Sequence, residues 1–155
     1  MNSTQNFSHS LPMLLYRTLD GVMPAFREIF ARHGLTEPQW RVLRVLWECE
    51  ALAFGALAEQ TRLMPPSLVG VIDRLSAINL VLRERSENDR RVVVVKLTSE
   101  GRAMQKKVMP EVESVYRELS DLIDERKWAR LLRALEEFAQ AAEDANFHQS
   151  KNPNG

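Results

Sequence analysis

The chain has 155 residues, of which 45% are hydrophobic and 27% are charged, a balance typical of a folded globular protein. It lacks a run of about 18 apolar residues and a basic segment followed by an apolar core near its start, so the sequence predicts neither membrane contact nor export. A single cysteine, Cys49, cannot form an intrachain disulfide. Because this agrees with a reducing compartment, we expect a cytoplasmic protein.

The charges are unevenly distributed along the chain. The 21 basic and 21 acidic side chains give a formal net charge of zero, which alone argues against nucleic-acid binding. Residues 83–107, however, carry eight basic and four acidic side chains, whereas residues 108–155 carry six basic and ten acidic ones. Because local patches decide phosphate binding better than totals do, the basic segment is compatible with nucleic-acid binding.

Two helices are predicted in the first third of the chain. The first should end near Gly34, a residue suited to follow a helix, and its apolar side recurs at helical spacing. The residues at this spacing are Leu15, Leu19, Val22, Phe26, Ile29, Phe30 and His33. Thr36 and Gln39 have the spacing of a capping box, which predicts a second helix that continues to about Glu50. Its predicted core residues are Trp40, Leu43, Leu46 and Trp47.

A helix-turn-helix followed by a hairpin is predicted over residues 54–97. Residues 54–61 and 65–79 have helical patterns and are joined by a tight connection. The second helix has an apolar face that can dock on a core and an opposite face of mostly small residues. The apolar face comprises Leu68, Val71, Ile72, Leu75 and Ile78. The β-branched or apolar runs 80–85 and 92–97 flank a turn-prone segment, which predicts a hairpin and hence a winged helix.

Two further helices are predicted after the hairpin. Thr98 can cap the first helix, and Asp124 can cap the second. Both helices carry narrow apolar seams. The seam residues are Val108, Val112, Val115, Leu119 and Leu122 in one helix, and Trp128, Leu131, Leu132, Leu135 and Phe138 in the other. Together with the first helix, these seams exceed what one small core needs, so we predict a homodimer.

The predicted fold is mainly α with a small β-hairpin wing, a winged helix-turn-helix with a helical dimerisation region. An N-terminal tail and dimerisation helix occupies residues 1–34, of which the first ten are expected to be frayed. The DNA-binding winged helix-turn-helix covers residues 35–98. C-terminal dimerisation helices follow at 99–146, and a disordered tail at 147–155.

Several short motifs resemble those of the MarR family of transcriptional regulators. The family's wing has the pattern Asp-x-Arg, a short strand, Leu-Thr and a nearby Gly. This pattern is met by Asp89, Arg91, Leu97, Thr98 and Gly101. The triplets 57–59 (Leu-Ala-Glu) and 73–75 (Asp-Arg-Leu) also fall where the family places them. Residues 35–41, 66–68 and 80–83 are most similar to the branch of homoprotocatechuate-operon repressors.

Two positions depart from the family pattern. Met64 stands where the family often has a serine-type cap, so Pro65 and Pro66 must define the helix start by their fixed φ. Asn79 stands where the family has glycine, and asparagine tolerates the left-handed conformation that closes a helix. The resemblance implies a homodimeric repressor that binds a pseudo-palindromic operator in double-stranded DNA and is released by a small aromatic acid or phenolic ligand of a catabolic pathway.

We predict DNA contacts from the second helix of the helix-turn-helix and from the wing. Small and polar side chains on that helix can contact base edges, a thymine methyl or phosphate, although backbone contact alone is equally compatible with the sequence. In the wing, Asp89 can hold Arg91 for a narrow minor groove while Arg90 contacts phosphate, the alternative being a solvated hairpin tip. The predicted DNA-binding residues are Pro66, Ser67, Val69, Gly70, Arg74, Asp89, Arg90 and Arg91. Asp73 also lies on this face, where a bare carboxylate would be repelled by phosphate. It can instead orient Arg74 or a neighbouring arginine.

The resemblance also implies a ligand pocket between the dimer helices and the winged helix. The predicted ligand-binding residues are Arg17, His33, Trp40, Arg41 and Arg44. Each has a structural alternative: Trp40 as a core residue, His33 as a helix-end residue, and the arginines as partners in surface ion pairs.

Other classes of function have weaker support. A redox-responsive regulator using Cys49 is one alternative, although the peroxide-sensing members of the MarR family carry their cysteine in the first helix. A helical interaction module without DNA binding is another. The histidines at positions 9, 33 and 148 lack metal-site spacing, and no phosphate loop or nucleophile motif is present. We therefore predict no metal, no cofactor and no enzymatic activity.

Overall fold

A computed structural model describes residues 9–145, and the predicted fold class is confirmed. The elements in chain order are α1 (Leu11–Arg32), α2 (Glu37–Cys49), β1 (Ala51–Ala53), α3 (Phe54–Thr61), α4 (Pro65–Ala77), β2 (Val81–Arg85), β3 (Val93–Leu97), α5 (Ser99–Asp121) and α6 (Glu125–Asp144). No helix among the described residues is both long and apolar enough to cross a membrane. The predicted disordered tail, residues 147–155, and most of the predicted frayed N-terminus lie outside the described residues.

The start of α2 is determined by local sequence. The Thr36 hydroxyl accepts a hydrogen bond from the Gln39 amide at 3.4 Å, and the Gln39 side-chain oxygen accepts one from the Thr36 amide at 2.8 Å. This reciprocal pair is the predicted capping box, and it satisfies two amides that would otherwise lack partners. Behind this start, Leu43, Leu46 and Trp47 are buried as predicted, whereas Trp40 remains partly exposed.

The wing belongs to a three-stranded antiparallel sheet with strand order β1-β3-β2. Residues 51–53 form β1, which pairs with β3 and adds a third strand to the predicted hairpin. The hairpin register runs from Val81 opposite Leu97 to Arg85 opposite Val93. Asn79 closes α4 with φ of 58°, as the sequence predicted. The chain can therefore leave the helix and enter β2 at once.

The described chain forms two compact units, with the boundary between residues 115 and 116, inside α5. The core of the first unit draws on α1, α2, α3, α4, the sheet and the first half of α5. Its fully buried side chains include Phe30, Leu43, Leu46, Leu57, Leu68, Ile72, Leu75, Val95, Val108 and Val112. In the second unit, the Asp124 carboxylate caps α6 by accepting from the Lys127 amide at 2.9 Å, and α6 buries none of its residues.

The first turn of α5 is held tightly against the wing. The Thr98 hydroxyl accepts from the Gly101 amide at 3.0 Å and donates to the Asn79 carbonyl at 2.6 Å. The Trp47 indole donates to the Gly101 carbonyl at 2.9 Å. A Cβ atom at Gly101 would lie 2.3 Å from the Leu80 carbonyl oxygen. Glycine is thus required at position 101 by close packing of backbone on backbone.

Candidate nucleic-acid interface and effector region

Helix α4 presents the face that the sequence predicted for DNA. Met64 provides no side-chain cap, and α4 begins at two prolines whose fixed φ suits the first turn. The buried side is Leu68, Val71, Ile72 and Leu75, and the exposed side includes Pro66, Ser67, Val69, Asp73 and Arg74. The prediction for Ile78 was wrong: α4 ends at Ala77, so Ile78 leaves the apolar face and is 50% exposed.

Gly70 and Arg74 share the exposed surface of α4. An atom added at the Gly70 Cβ position would lie 3.7 Å from one guanidinium nitrogen of Arg74. The Arg74 side chain therefore extends back over Gly70, where its charge lies close to the helix surface. A methyl group at position 70 would therefore meet the guanidinium in ordinary van der Waals contact.

The Asp73 carboxylate is neutralised by an arginine of the wing. This agrees with the expectation that Asp73 orients Arg74 or a neighbouring arginine. The Arg83 guanidinium on β2 forms an ion pair with Asp73 Oδ1. The same nitrogen donates to the Val69 carbonyl oxygen at 3.1 Å. Arg83 thus contacts two acceptors one turn apart on the exposed side of α4.

At the tip of the wing, Asp89 organises the backbone. Its carboxylate accepts from the Arg91 main-chain amide at 2.9 Å, and its carbonyl oxygen accepts from the Val92 amide at 2.9 Å. Asp89 therefore positions Arg91 through the main chain. Within residues 9–145, the guanidinium groups of Arg90 and Arg91 are exposed and form no ion pair. Both cations remain available for phosphate or a minor groove.

A cleft of about 490 Å³ separates α4 from the wing. Its walls are apolar, with one cation on the strand and one at the wing tip. The lining residues are Phe54, Gly55, Val69, Arg83, Arg91, Val92 and Val93. Predicted DNA contacts from the helix (Val69) and from the wing (Arg91) are therefore brought to one concave surface.

Trp40 is stacked in a row of aromatic rings at the start of α2. Its ring centroid lies 4.6 Å from that of Phe30 on α1 at an interplanar angle of 19°, and 5.3 Å from that of Trp47 at 76°. One part of the indole is therefore used in packing while another part reaches the surface. Trp40 fits both sequence interpretations, as a packing residue and as an aromatic contact for a ligand.

The cations near Trp40 are already engaged by carboxylates. Arg41 contacts Glu37 at 2.7 Å, Arg27 contacts the same carboxylate at 3.1 Å, and Arg44 contacts Glu48 at 2.8 Å. Burial raises the pKa of Glu37, but hydrogen bonds from Arg41 and Arg27 outweigh it and hold that pKa below its usual value. An incoming anion would have to share these cations or displace the resident carboxylates.

His33 and Arg17 are not brought to one site within the chain. His33 Nε2 lies 2.6 Å from Glu111 Oε1 on α5, and Arg32 binds the same carboxylate. Arg17 is exposed on α1, roughly 24 Å before His33 at a rise of 1.5 Å per residue. No small ligand can bridge that distance in one protomer.

Sequence reasoning missed Arg83, Glu37 and Glu111 as site residues. A carboxylate on the exposed side of a candidate DNA-binding helix signals that a cation must lie nearby, but only the strand register shows that the cation is Arg83. Glu37 and Glu111 carry no comparable signal, because acidic residues on helix surfaces are usually solvated.

Comparison with known proteins supports the geometric interpretation. The MarR family pattern matches residues 35–93. The homoprotocatechuate degradative operon repressor of Escherichia coli is 36% identical over 129 residues, which cover 83% of this chain and 87% of the repressor. The chain belongs to the MarR family. It has the winged-helix fold of MarR-family transcriptional regulators.

Two solved structures are similar along most of this MarR-family chain. NadR in complex with 4-hydroxyphenylacetate is 34% identical, with a TM-score of 0.76, over 90% of this chain and 98% of NadR. The repressor CouR bound to a 23-mer DNA duplex is 26% identical, with a TM-score of 0.81, over 90% of this chain and 99% of CouR.

Proposed function

We propose that the protein is a cytoplasmic homodimeric repressor that binds an inverted-repeat operator and is released by a small aromatic acid. The observation that carries the DNA-binding part is the surface of α4 and the wing, where Arg91 lines an apolar cleft between the two elements and Arg74 and Arg90 are exposed. The E. coli relative is named as an operon repressor, and CouR was solved on duplex DNA.

Arg91 provides the test of the wing. Replacing Arg91 with alanine should weaken binding to a duplex selected by the parent protein, because one cation per protomer is lost. The dependence of log affinity on log salt should become shallower by about one unit per lost contact. Glu87→Gln on the same hairpin is the control, since it should not weaken binding. Unchanged affinity for Arg91→Ala at every salt concentration would contradict a DNA contact by the wing.

The homodimer is supported by apolar side chains left exposed in the single chain. In the second unit, Leu131, Leu132, Leu135 and Phe138 of α6 are each at least 38% exposed, and on α1 the same holds for Leu11, Leu14, Leu15 and Leu19. A monomer rarely leaves helices with so many apolar side chains exposed, and a second copy of the chain would bury them. Sedimentation of the full chain at micromolar concentration should show a dimer, and a folded monomer would refute this part.

The effector is proposed from the surroundings of Trp40. Its partly exposed indole can pack against an aromatic ring, and Arg44 or Arg41 can bind a carboxylate by charge-assisted hydrogen bonds. NadR, a relative with 34% identity, was solved with 4-hydroxyphenylacetate. Release from DNA requires that the ligand bind the DNA-free form more tightly, and a hundredfold loss of operator affinity needs about 2.7 kcal/mol of coupling.

Calorimetry tests the effector. Hydroxylated phenylacetates, benzoates and cinnamates are titrated into the protein with and without bound duplex. At least one should bind more weakly in the presence of DNA, by the same factor by which it weakens DNA binding. Arg44→Ala should reduce its affinity, whereas Arg90→Ala on the wing should not. Equal affinities with and without DNA for every ligand that binds would refute the release mechanism, and an unaffected Arg44→Ala would refute the proposed pocket.

The redox alternative has little chemical support. Burial raises the pKa of the Cys49 thiol, and the neighbouring Glu48 and Glu50 raise it further. The thiolate that reacts with peroxide is therefore scarce at neutral pH. Alkylation of Cys49 should leave DNA binding unchanged, and a loss of binding on alkylation would favour the redox alternative.

A further inference from the structure

The contact between Arg83 and α4 carries an inference about how the DNA-binding surface is assembled. Arg83 lies on β2, directly opposite Val95 of β3, in the hairpin that carries the wing tip. Its guanidinium crosses to α4 and binds both the Asp73 carboxylate and the Val69 carbonyl. These two acceptors lie one helical turn apart, so the arginine is held at two points along the helix.

The two arginines on this surface differ in whether they are paired with a carboxylate. Arg74 extends over Gly70, and its guanidinium has no ion-pair partner among residues 9–145. Arg83 is paired with Asp73 instead, although both side chains are partly exposed. Asp73 would otherwise present an uncompensated carboxylate on the side of α4 that faces phosphate, where it would be repelled.

Stability alone does not account for this pair. Ion pairs between partly exposed side chains contribute little to folding, because solvent screens the attraction and ordering two side chains costs entropy. The geometry points to another role, because one guanidinium nitrogen of Arg83 donates to two acceptors on α4 and is thereby held at a fixed place on that helix. The contact joins two elements that must reach the same duplex at the same time.

We propose that Asp73 and Arg83 form a latch that sets the position of the wing relative to α4. Asp73 and Arg83 are positioning residues in this proposal, and Arg83 is not a phosphate-binding residue despite its charge and location. The proposal rests on the proposed DNA binding and adds to it the prediction that a carboxylate on the DNA-facing helix strengthens binding.

The test uses Asp73→Ala, Arg83→Ala and the double variant of the full chain, each titrated with a duplex that the parent protein selects from a random-sequence library. Asp73→Ala should lose about tenfold in affinity even though it removes a negative charge. Arg83→Ala should lose a similar factor without a shallower salt dependence, and the double variant should be no weaker than either single one. Arg74→Ala is the matched control, and its salt dependence should become shallower.

A readout without DNA separates failure of the latch from failure of DNA binding. Hydrogen exchange of the wing amides, residues 86–92, should accelerate in Asp73→Ala and in Arg83→Ala but not in Arg74→Ala. Parent-like exchange in both latch variants would overturn the proposal whether or not DNA is bound. Tighter DNA binding by Asp73→Ala, or a shallower salt dependence for Arg83→Ala, would overturn it in favour of simple charge effects.

Discussion

Replacement of Gly101 by alanine tests the packing of α5 against the wing. The new Cβ would lie 2.3 Å from the Leu80 carbonyl oxygen and 2.6 Å from a methyl carbon of Leu97. Leu97 can change rotamer, but the carbonyl belongs to the backbone, so the first turn of α5 has to move. That movement also strains the hydrogen bond of 2.9 Å from the Trp47 indole to the Gly101 carbonyl.

The expected loss of stability is about 1 to 3 kcal/mol. Overpacking of this kind costs about 1–3 kcal/mol, and a weakened buried hydrogen bond adds about 1 kcal/mol. The greater helix propensity of alanine offsets about 1 kcal/mol. For a chain of this size, each kcal/mol lowers the melting temperature by about 2–4 °C, so the melting temperature should fall by roughly 2–12 °C.

Urea and thermal denaturation, followed by circular dichroism at equal protein concentrations, measure this change. Gly55→Ala is the matched control, because Gly55 is also helical and an added Cβ meets no atom within 4 Å. The control should be neutral or more stable by up to about 1 kcal/mol. A Gly101→Ala variant as stable as the parent would refute the argument that close backbone packing requires glycine.

Three further predictions concern other parts of the chain. Thr36→Ala removes half of the capping box and should cost about 1 kcal/mol in urea denaturation; an unchanged midpoint would contradict this. Leu135→Asp should dissociate or unfold the protein in sedimentation, whereas Arg130→Asp on the same helix should not, and a stable Leu135→Asp dimer would contradict the seam. Hydrogen bonds from Arg32 and His33 hold the pKa of Glu111 below its usual value of 4.5. The ionised Glu111 carboxylate therefore stabilises the folded protein above pH 4.5, and this stabilisation is lost as the pH falls through the lower pKa of the folded state. Glu111→Gln should therefore destabilise the protein at pH 7 and show a smaller difference from the parent near pH 3; an equal difference at both pH values would count against the ion pair.

Local signals predicted much of the fold. The capping box at Thr36 and Gln39, the bounds of α3 and the left-handed Asn79 each depend on residues within one or two turns of one another. Such features depend on local sequence more than on tertiary packing, so residue spacing and residue type predict them. The wing motif around Asp89 was predictable for the same reason, since its hydrogen bonds join near neighbours.

Contacts between distant segments were not predictable in the same way. Glu50 adopts a positive φ of 64° and pairs with Arg102, 52 residues later, and nothing in the local pattern indicates either fact. The pairing of Arg83 with Asp73 depends on the register of β2, which the hairpin sequence specifies only approximately. Predicted ligand residues were chosen by type and resemblance, although Arg17 and His33 lie 16 residues apart on one predicted helix, a separation of roughly 24 Å that already excludes a shared small ligand in one protomer.

Selection of DNA by the 155-residue chain tests whether it binds duplex DNA sequence-specifically as a two-fold dimer. The protein is incubated with a random-sequence duplex library, and the retained fragments are sequenced after several rounds. We expect enrichment of an inverted repeat whose half-site centres lie about 10 bp apart, because a two-fold dimer would place two α4 helices in successive major grooves. Absence of any enriched sequence, or enrichment of a single unrepeated site, would contradict it.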